Sequence, residues 1–193
     1  MRKSYFIVFT LALVLLAGLA RTADAAPKKE APAAAKDSLV ISVGNGTAGG
    51  NYDPCKGYGS SGINLFHTAL LRINAEVLTD PDIASAYTVS DDRLVYTFTI
   101  REDITFSDGV TLTPEDVVFT YETTKNSGSG VDLTMLEKVE VAEGHQVRFT
   151  LNKVYSPFVR TTALLGIVPK HAYNDNYARN PIGTGPFRVK QLD

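Results

Sequence analysis

Histidine, cysteine and paired carboxylates are the groups in this 193-residue chain that could do chemistry, and their spacing limits which chemistry. Histidines stand at His67, His145 and His171, and Cys55 is the sole cysteine. Metal capture needs clustered ligands or Cys/His pairs; these four residues are scattered singly. His67 falls in an amphipathic segment and reads as a helix-side residue rather than a ligand. Carboxylates pair at Asp91-Asp92 and at Asp80/Asp82, but such pairs in polar turns are commonly solvated or cap the backbone. No Ser/His/Asp or Cys/His arrangement is recognisable, so no nucleophile has a base. The stretch Gly183-Thr-Gly-Pro186 has the glycines of a phosphate loop without its lysine or spacing, and reads as a turn. These residues predict a chain that is not an enzyme and needs no cofactor.

Charge and leader residues narrow the setting. Arg2 and Lys3 precede an uncharged apolar stretch from Tyr5 to Ala20, and Ala23-Asp24-Ala25 puts small residues where a signal peptidase reads. That layout predicts a secretory signal over residues 1–25, cleaved after Ala25. The apolar run is shorter than the ~20 residues of a spanning helix, so no membrane span is expected after cleavage. No cysteine lies near the cleavage point to carry a lipid. The chain has 19 basic and 21 acidic residues. Losing Arg2, Lys3 and Arg21 together with Asp24 moves the net charge from −2 to −4. Nucleic acid is therefore not an expected partner. Cys55 alone forms no intrachain disulfide even in an oxidising compartment, and fits a small buried hydrophobe.

The elements that would position these groups are mixed. Residues 26–37 (APKKEAPAAAKD) have nothing to bury and read as a disordered linker. Leu39–Val43 reads as a buried strand, followed by a loop from Gly44 to Gly62 with seven glycines. Leu65, Phe66, Ala69, Leu70 and Ile73 share a helical face, with Asn64 placed to cap it. Leu94–Arg101 alternates as a half-buried strand after a polar turn at Ser90–Arg93. Thr113, Pro114 and Asp116 then form a helix start resembling a capping box, and Gly128 marks its stop. Residues 138–142 and 146–151 read as a hairpin across Glu143-Gly144-His145. Short helical segments are expected at 157–165 and 171–177, and Phe187–Val189 begins to alternate like a strand. Strands and helices without a βαβ rhythm give an α+β or mixed α/β class.

Several of these segments together resemble the family 5 extracellular solute-binding proteins, which serve oligopeptide, dipeptide and nickel importers. The residues are Tyr52-Asp53-Pro54, Pro81-Asp82-Ile83-Ala84 with Ser85-Ala86-Tyr87, and Gly183-Thr-Gly-Pro-Phe187. The most specific is the run from Tyr96 through Arg101 and Phe106-Ser-Asp-Gly109 to Leu112-Thr-Pro-Glu-Asp-Val117, which orders strand, turn, cap and helix. The resemblance covers Leu39 to Asp193. It implies a periplasmic-binding-protein-like (type II) two-lobe fold, here truncated to an inserted domain plus part of lobe one. Residues 39–62 would open lobe one, 63–165 would be the inserted α+β domain, and 166–193 would resume lobe one.

The resemblance also implies a role and a site. The chain would be the periplasmic substrate-binding component of an ABC importer for oligopeptides, dipeptides or nickel and related solutes. Its partners would be the small solute or short peptide, the inner-membrane permease and its ATPase. A different reading of the same residues is a truncated, non-transporting remnant or structural fragment of such a protein. By similarity, the loop after the Asp-Pro faces the ligand, with Tyr58, Ser60 and Ser61 offering hydroxyls and Gly57 and Gly59 letting backbone amides approach. Lys56 to Ser61 holds no acidic residue to meet a peptide's amino terminus.

Overall fold

The computed structural model describes residues 51–60 and 64–190, all within the compact unit Ser42–Asp193. The strand expected at residues 39–43, the leader, the linker and Ser61 lie outside the described residues.

The alternating stretches pair into an antiparallel sheet of order β3-β4-β6-β5, built from β3 (Ala84–Val89), β4 (Val95–Ile100), β5 (Leu136–Ala142) and β6 (Gln146–Leu151). A smaller hairpin joins β1 (Leu71–Ile73) to β2 (Thr79–Pro81). Along β4 every second residue is buried, so Tyr96, Phe98 and Ile100 face the core. In β6, Phe149 lies opposite Tyr96 and Val147 opposite Phe98, which keeps both strands' apolar sets on one face.

Helix α1 (Pro114–Lys125) packs on that face. Its start follows the sequence chemistry with one change of detail. The Asp116 carboxylate accepts from the Thr113 amide at 2.9 Å and from the Thr113 hydroxyl at 3.0 Å, while its other oxygen accepts from the Lys170 amide at 2.8 Å. Asp116 thus ties the helix start to a segment 54 residues further on. The helix stops at Lys125 with Asn126 as its cap, ahead of Gly128. Tyr121 stacks edge-on against Phe149 at 4.7 Å, and Phe149 meets Phe98 at 5.4 Å and Phe158 at 5.6 Å. Phe158 belongs to α2 (Phe158–Thr161), a single helical turn where a longer helix to residue 165 was expected.

The largest departure from the sequence pattern is at residues 64–73, which are not helical. Asn64 does behave as a cap, its Oδ1 accepting from the His67 amide at 3.3 Å. A helix needs the carbonyls of 65–69 for amides four residues on, and distant partners take them instead. Phe187 N–H donates to Leu65 O, Gly185 N–H to Phe66 O, Ile167 N–H to Thr68 O and Ile83 N–H to Ala69 O. The apolar residues are still buried, Ala69, Leu70 and Leu71 among them, but in an extended ribbon that leads into β1. Two other expectations shift similarly. The turn of helix expected at 171–177 lies at Tyr177–Arg179 as 3-10 helix. Phe187–Val189 forms no strand, since Phe187 bonds to the ribbon rather than to a sheet.

Glycine is required where that ribbon is crossed. A Cβ on Gly183 would stand 2.0 Å from Phe66 O, and one on Gly185 would stand 2.5 Å from the Phe66 carbonyl carbon. Only bare backbone lets the Gly183–Pro186 turn lie against residues 65–67.

Candidate functional site

The loop after Asp53-Pro54 is shaped by a buried carboxylate. Asp53 is fully buried and accepts from the Cys55 amide at 2.9 Å and the Tyr173 hydroxyl at 2.8 Å, with Lys56 Nζ at 3.6 Å. The first of these bonds caps the 3-10 turn Pro54–Lys56, and Pro54 suits the first position of that turn. Asp53 is thereby fully engaged inside the protein. Cys55 lies beneath it, wholly buried, its Sγ directed at the Thr120 carbonyl. Burial pushes the Cys55 thiol up to about 11, and the nearby Asp53 charge adds to the shift. It is the small buried hydrophobe that its isolation in the sequence suggests.

Tyr58, Gly59 and Ser60 follow. Tyr58 is buried, stacked on Phe66 at 5.9 Å and edge-on to Tyr52 at 5.3 Å. Its hydroxyl accepts from the Leu65 amide at 3.3 Å, and burial raises its pKa above the usual phenol range. Gly59 has φ +76°, the left-handed region that favours glycine. Ser60 is half-buried, its amide donating to Gly57 O at 3.3 Å. Tyr58 therefore forms the back of the loop, and Ser60 lies at its more open side.

A second loop, Gly128–Thr134, meets this one, although in the sequence Gly128 reads only as a helix stop. A groove of about 520 Å³ is lined by Thr124, Lys125 and residues 128–134. Its Gly130 adjoins the first loop: a Cβ there would lie 3.6 Å from Ser60 Oγ, and a Cβ on Gly57 would lie 3.8 Å from the Gly130 nitrogen. Ser127 ties the two loops, its hydroxyl set against both the Cys55 and Thr124 carbonyls. The groove's charged groups are turned to local duties. Asp132 accepts from the Thr134 amide and hydroxyl, and Lys125 Nζ donates to Glu137 O at 3.1 Å. The Gly128-Ser129-Gly130 triplet was the available signal, a second glycine-rich loop far from the first in sequence.

The remaining candidates do not converge. His67 is buried, His145 sits in the β5–β6 turn with φ +60°, and His171 faces Asp108 at 2.8 Å. Among the described residues no three His, Cys, Asp or Glu side chains group as a metal site. Asp92 accepts from the Ser90 hydroxyl and the Leu94 amide, a turn cap. Asp80 accepts from Asn74 Nδ2 at 3.1 Å and lies 3.9 Å from Arg72 Nε. The Gly183–Pro186 turn is bound to residues 65–68, including a 2.5 Å contact between the Thr68 and Thr184 hydroxyls. No helix among the described residues is long and apolar enough to cross a membrane.

A ribbon crossed by a glycine turn and a four-stranded sheet backed by one helix make a mixed α/β unit, and its likeness to solved structures makes it part of a periplasmic solute-binding fold. The chain belongs to that class: residues 79–193 match the family "Bacterial extracellular solute-binding proteins, family 5 Middle". It is similar to Protein XP55 of Streptomyces lividans, 34% identical over 79% of this chain and 30% of that protein. It is also similar to the "Probable D,D-dipeptide-binding periplasmic protein DdpA" of Escherichia coli K12, 32% identical over 56% of this chain and 23% of that protein. Among solved structures, NikZ from Campylobacter jejuni in complex with Ni(L-His) superposes with a TM-score of 0.72 at 31% identity, covering 82% of this chain and 34% of that one. The chain thus spans about a third of the length of such relatives. The family is one of extracellular solute-binding proteins, and a periplasmic location is in general accord with it.

Proposed function

We propose that the described unit forms one wall of the solute cleft in a substrate-binding component of an ABC importer. The solute would be an oligopeptide, a dipeptide, or nickel and its complexes, delivered to an inner-membrane permease and its ATPase. The single observation that carries this reading is a groove of about 520 Å³ lined by residues 128–134 whose Gly130 adjoins the Gly57–Ser60 loop, in a chain of this family. Ligands stated in the names of relatives include a D,D-dipeptide, glutathione, a nonapeptide and a nickel–histidine complex. Ligand contact is assigned to Tyr58, Gly59, Ser60 and Ser61, with Ser60 Oγ and the Gly59 backbone as first contacts and Tyr58 as their support. The segment division at residues 62/63 and 165/166 and cleavage after Ala25 belong to the same reading.

The chain has no tryptophan and nine tyrosines, of which Tyr52 and Tyr58 lie beside the loop, so a solute-dependent change in tyrosine emission is the readout. Titrating the exported protein with dipeptides and with Ni(L-His) is expected to give a saturable emission change, weakened at least about tenfold, or 1.4 kcal/mol, by Gly130→Leu. A folded protein that responds to none of these solutes, or a Gly130→Leu variant that binds like the unaltered chain, would sink the assignment. Intact mass of the periplasmic protein tests the cleavage: a chain starting at Ala26 is expected, and retention of residues 1–25 would refute it.

A further inference from the structure

The bonds of the loop after Asp53-Pro54 fall into two sets. Lys56 and Tyr58 amides donate to Asp53 O, the Gly57 amide to Pro54 O and the Ser60 amide to Gly57 O, all inside residues 53–60. These give the loop its shape but leave its place open. Glycine at positions 57 and 59, with φ +101° and +76°, leaves that backbone freer than any other residue would. Place is set by groups far along the chain. The Tyr52 amide donates to Ala178 O at 2.9 Å, the Tyr173 hydroxyl donates to Asp53 Oδ2 at 2.8 Å, and the Ser127 hydroxyl is set against Cys55 O. The last two ties span 120 and 72 residues, and each hangs on one hydroxyl. The ring of Tyr58 on Phe66 and Cys55 Sγ, 3.8 Å from Thr120 O, seat the loop on the core by packing, which has little direction of its own.

Both hydroxyls are themselves held in place. The Tyr173 ring lies edge-on to Phe119 at 5.3 Å and 5.0 Å from Tyr177. Burial, and then the Asp53 carboxylate it donates to, push its phenol up, so it stays a donor across the neutral range. A bond to a carboxylate is of the stronger kind, and without it Asp53 Oδ2 would keep only Lys56 Nζ at 3.6 Å. Ser127 is a junction. Its oxygen accepts from the Ser129 amide at 3.2 Å, and its hydroxyl lies 2.8 Å from Thr124 O as well as against Cys55 O. It thus joins the end of α1, the second loop and the first, beside the point where a Cβ on Gly130 would lie 3.6 Å from Ser60 Oγ. We propose that Tyr173 and Ser127 are positioning residues for the Gly57–Ser60 loop, their hydroxyls pinning Asp53 and Cys55 so that the loop stands against Gly130 in one arrangement. The consequence for binding rests on the solute-cleft reading. A loop that samples other arrangements binds more weakly, in proportion to the time it spends in the competent one.

Amide hydrogen exchange of the full chain resolves the loop, and calorimetry with D-Ala-D-Ala and Ni(L-His) follows binding. In Tyr173→Phe and in Ser127→Ala, exchange at Gly57, Tyr58 and Ser60 is expected to rise at least about tenfold while β4 and β6 keep their rates, and affinity to fall by a similar factor. Ser127→Thr, which keeps the hydroxyl at an exposed position, is expected to restore both. Thr113→Ala, at the opposite end of α1, lowers stability without touching either tie and is expected to leave the loop rates alone. Three results would overturn the positioning role: unchanged loop rates in both variants, a rise of equal size throughout the protein, or a faster loop in a chain that binds as tightly as the unaltered one. If the unaltered chain binds neither solute, the cleft reading falls, and the loop rates alone decide the role of the two residues. The Ser127 variants settle the matter even where Tyr173→Phe fails to fold.

Discussion

Acid should unfold this protein partly through one residue. His67 is 1% exposed, and burial lowers its pKa from 6.5 to about 3. The unfolded chain takes a proton on this histidine below pH 6.5, whereas the folded chain refuses it until about pH 3. Stability from this source is therefore complete above pH 6.5 and lost as pH falls from there toward 3, at about 1.4 kcal/mol per pH unit. Between pH 7.5 and 4.5 the loss comes to about 3 kcal/mol, a large share of a typical 5–15 kcal/mol. Urea unfolding of the chain and of His67→Gln, at steps from pH 7.5 to 4.5, isolates the effect. Glutamine can still donate to the Tyr177 hydroxyl but does not titrate, and all carboxylates are common to both proteins. The unaltered chain is expected to lose about 2–3 kcal/mol more than the variant over this range. Equal slopes for the two proteins would mean that His67 is hydrated or protonated in the folded state, and the argument from its burial would fall.

Other substitutions test the packing. Gly183→Ala puts a methyl 2.0 Å from Phe66 O and is expected to lower stability by about 3 kcal/mol or more, read as a drop in the urea midpoint. Tyr121→Phe removes a fully buried hydroxyl with no partner, so its melting temperature should match or exceed that of the unaltered chain. Thr113→Ala removes only the hydroxyl from Asp116 and keeps the amide contact, for a loss of about 1 kcal/mol in chemical unfolding. Cys55, buried and with its thiol pushed up to about 11, should resist iodoacetamide in the native chain and react once urea unfolds it.

What could be read from the sequence was whatever local chemistry decides. The start of α1 is set by Thr113, Pro114 and Asp116 within four residues, and β4 and the β5–β6 hairpin announce themselves by period two. Residues 64–73 misled because helical spacing says only that a face is apolar; the carbonyls of Leu65, Phe66 and Thr68 are claimed by amides more than 95 residues away. The β1–β2 hairpin was overlooked because its turn is held by one side chain, Asn74, whose Oδ1 accepts from the Glu76 and Leu78 amides. Of the proposed site, the turn at Asp53-Pro54 was marked by a family pattern, and its role in binding is a proposal. The groove at Gly128–Thr134 was not so marked, since its place beside Ser60 exists only once α1 has packed on the sheet.

The ribbon at residues 65–68 has a consequence in time. Its bonds run to Ile167, Thr184, Gly185 and Phe187, with Thr68 and Thr184 separated by 116 residues. Pairing across so long a separation closes a loop that pairing between neighbours does not, so these bonds form late. Before then β3–β6 and α1 can form from near neighbours, while the ribbon's carbonyls are open to its own amides. Its apolar spacing then favours a transient helix, which the arriving Gly183–Phe187 turn must unwind. Completion of this unit is thus set by the Gly183–Phe187 turn, and a chain in which that turn has not docked would hold a finished sheet beside an unsettled strip.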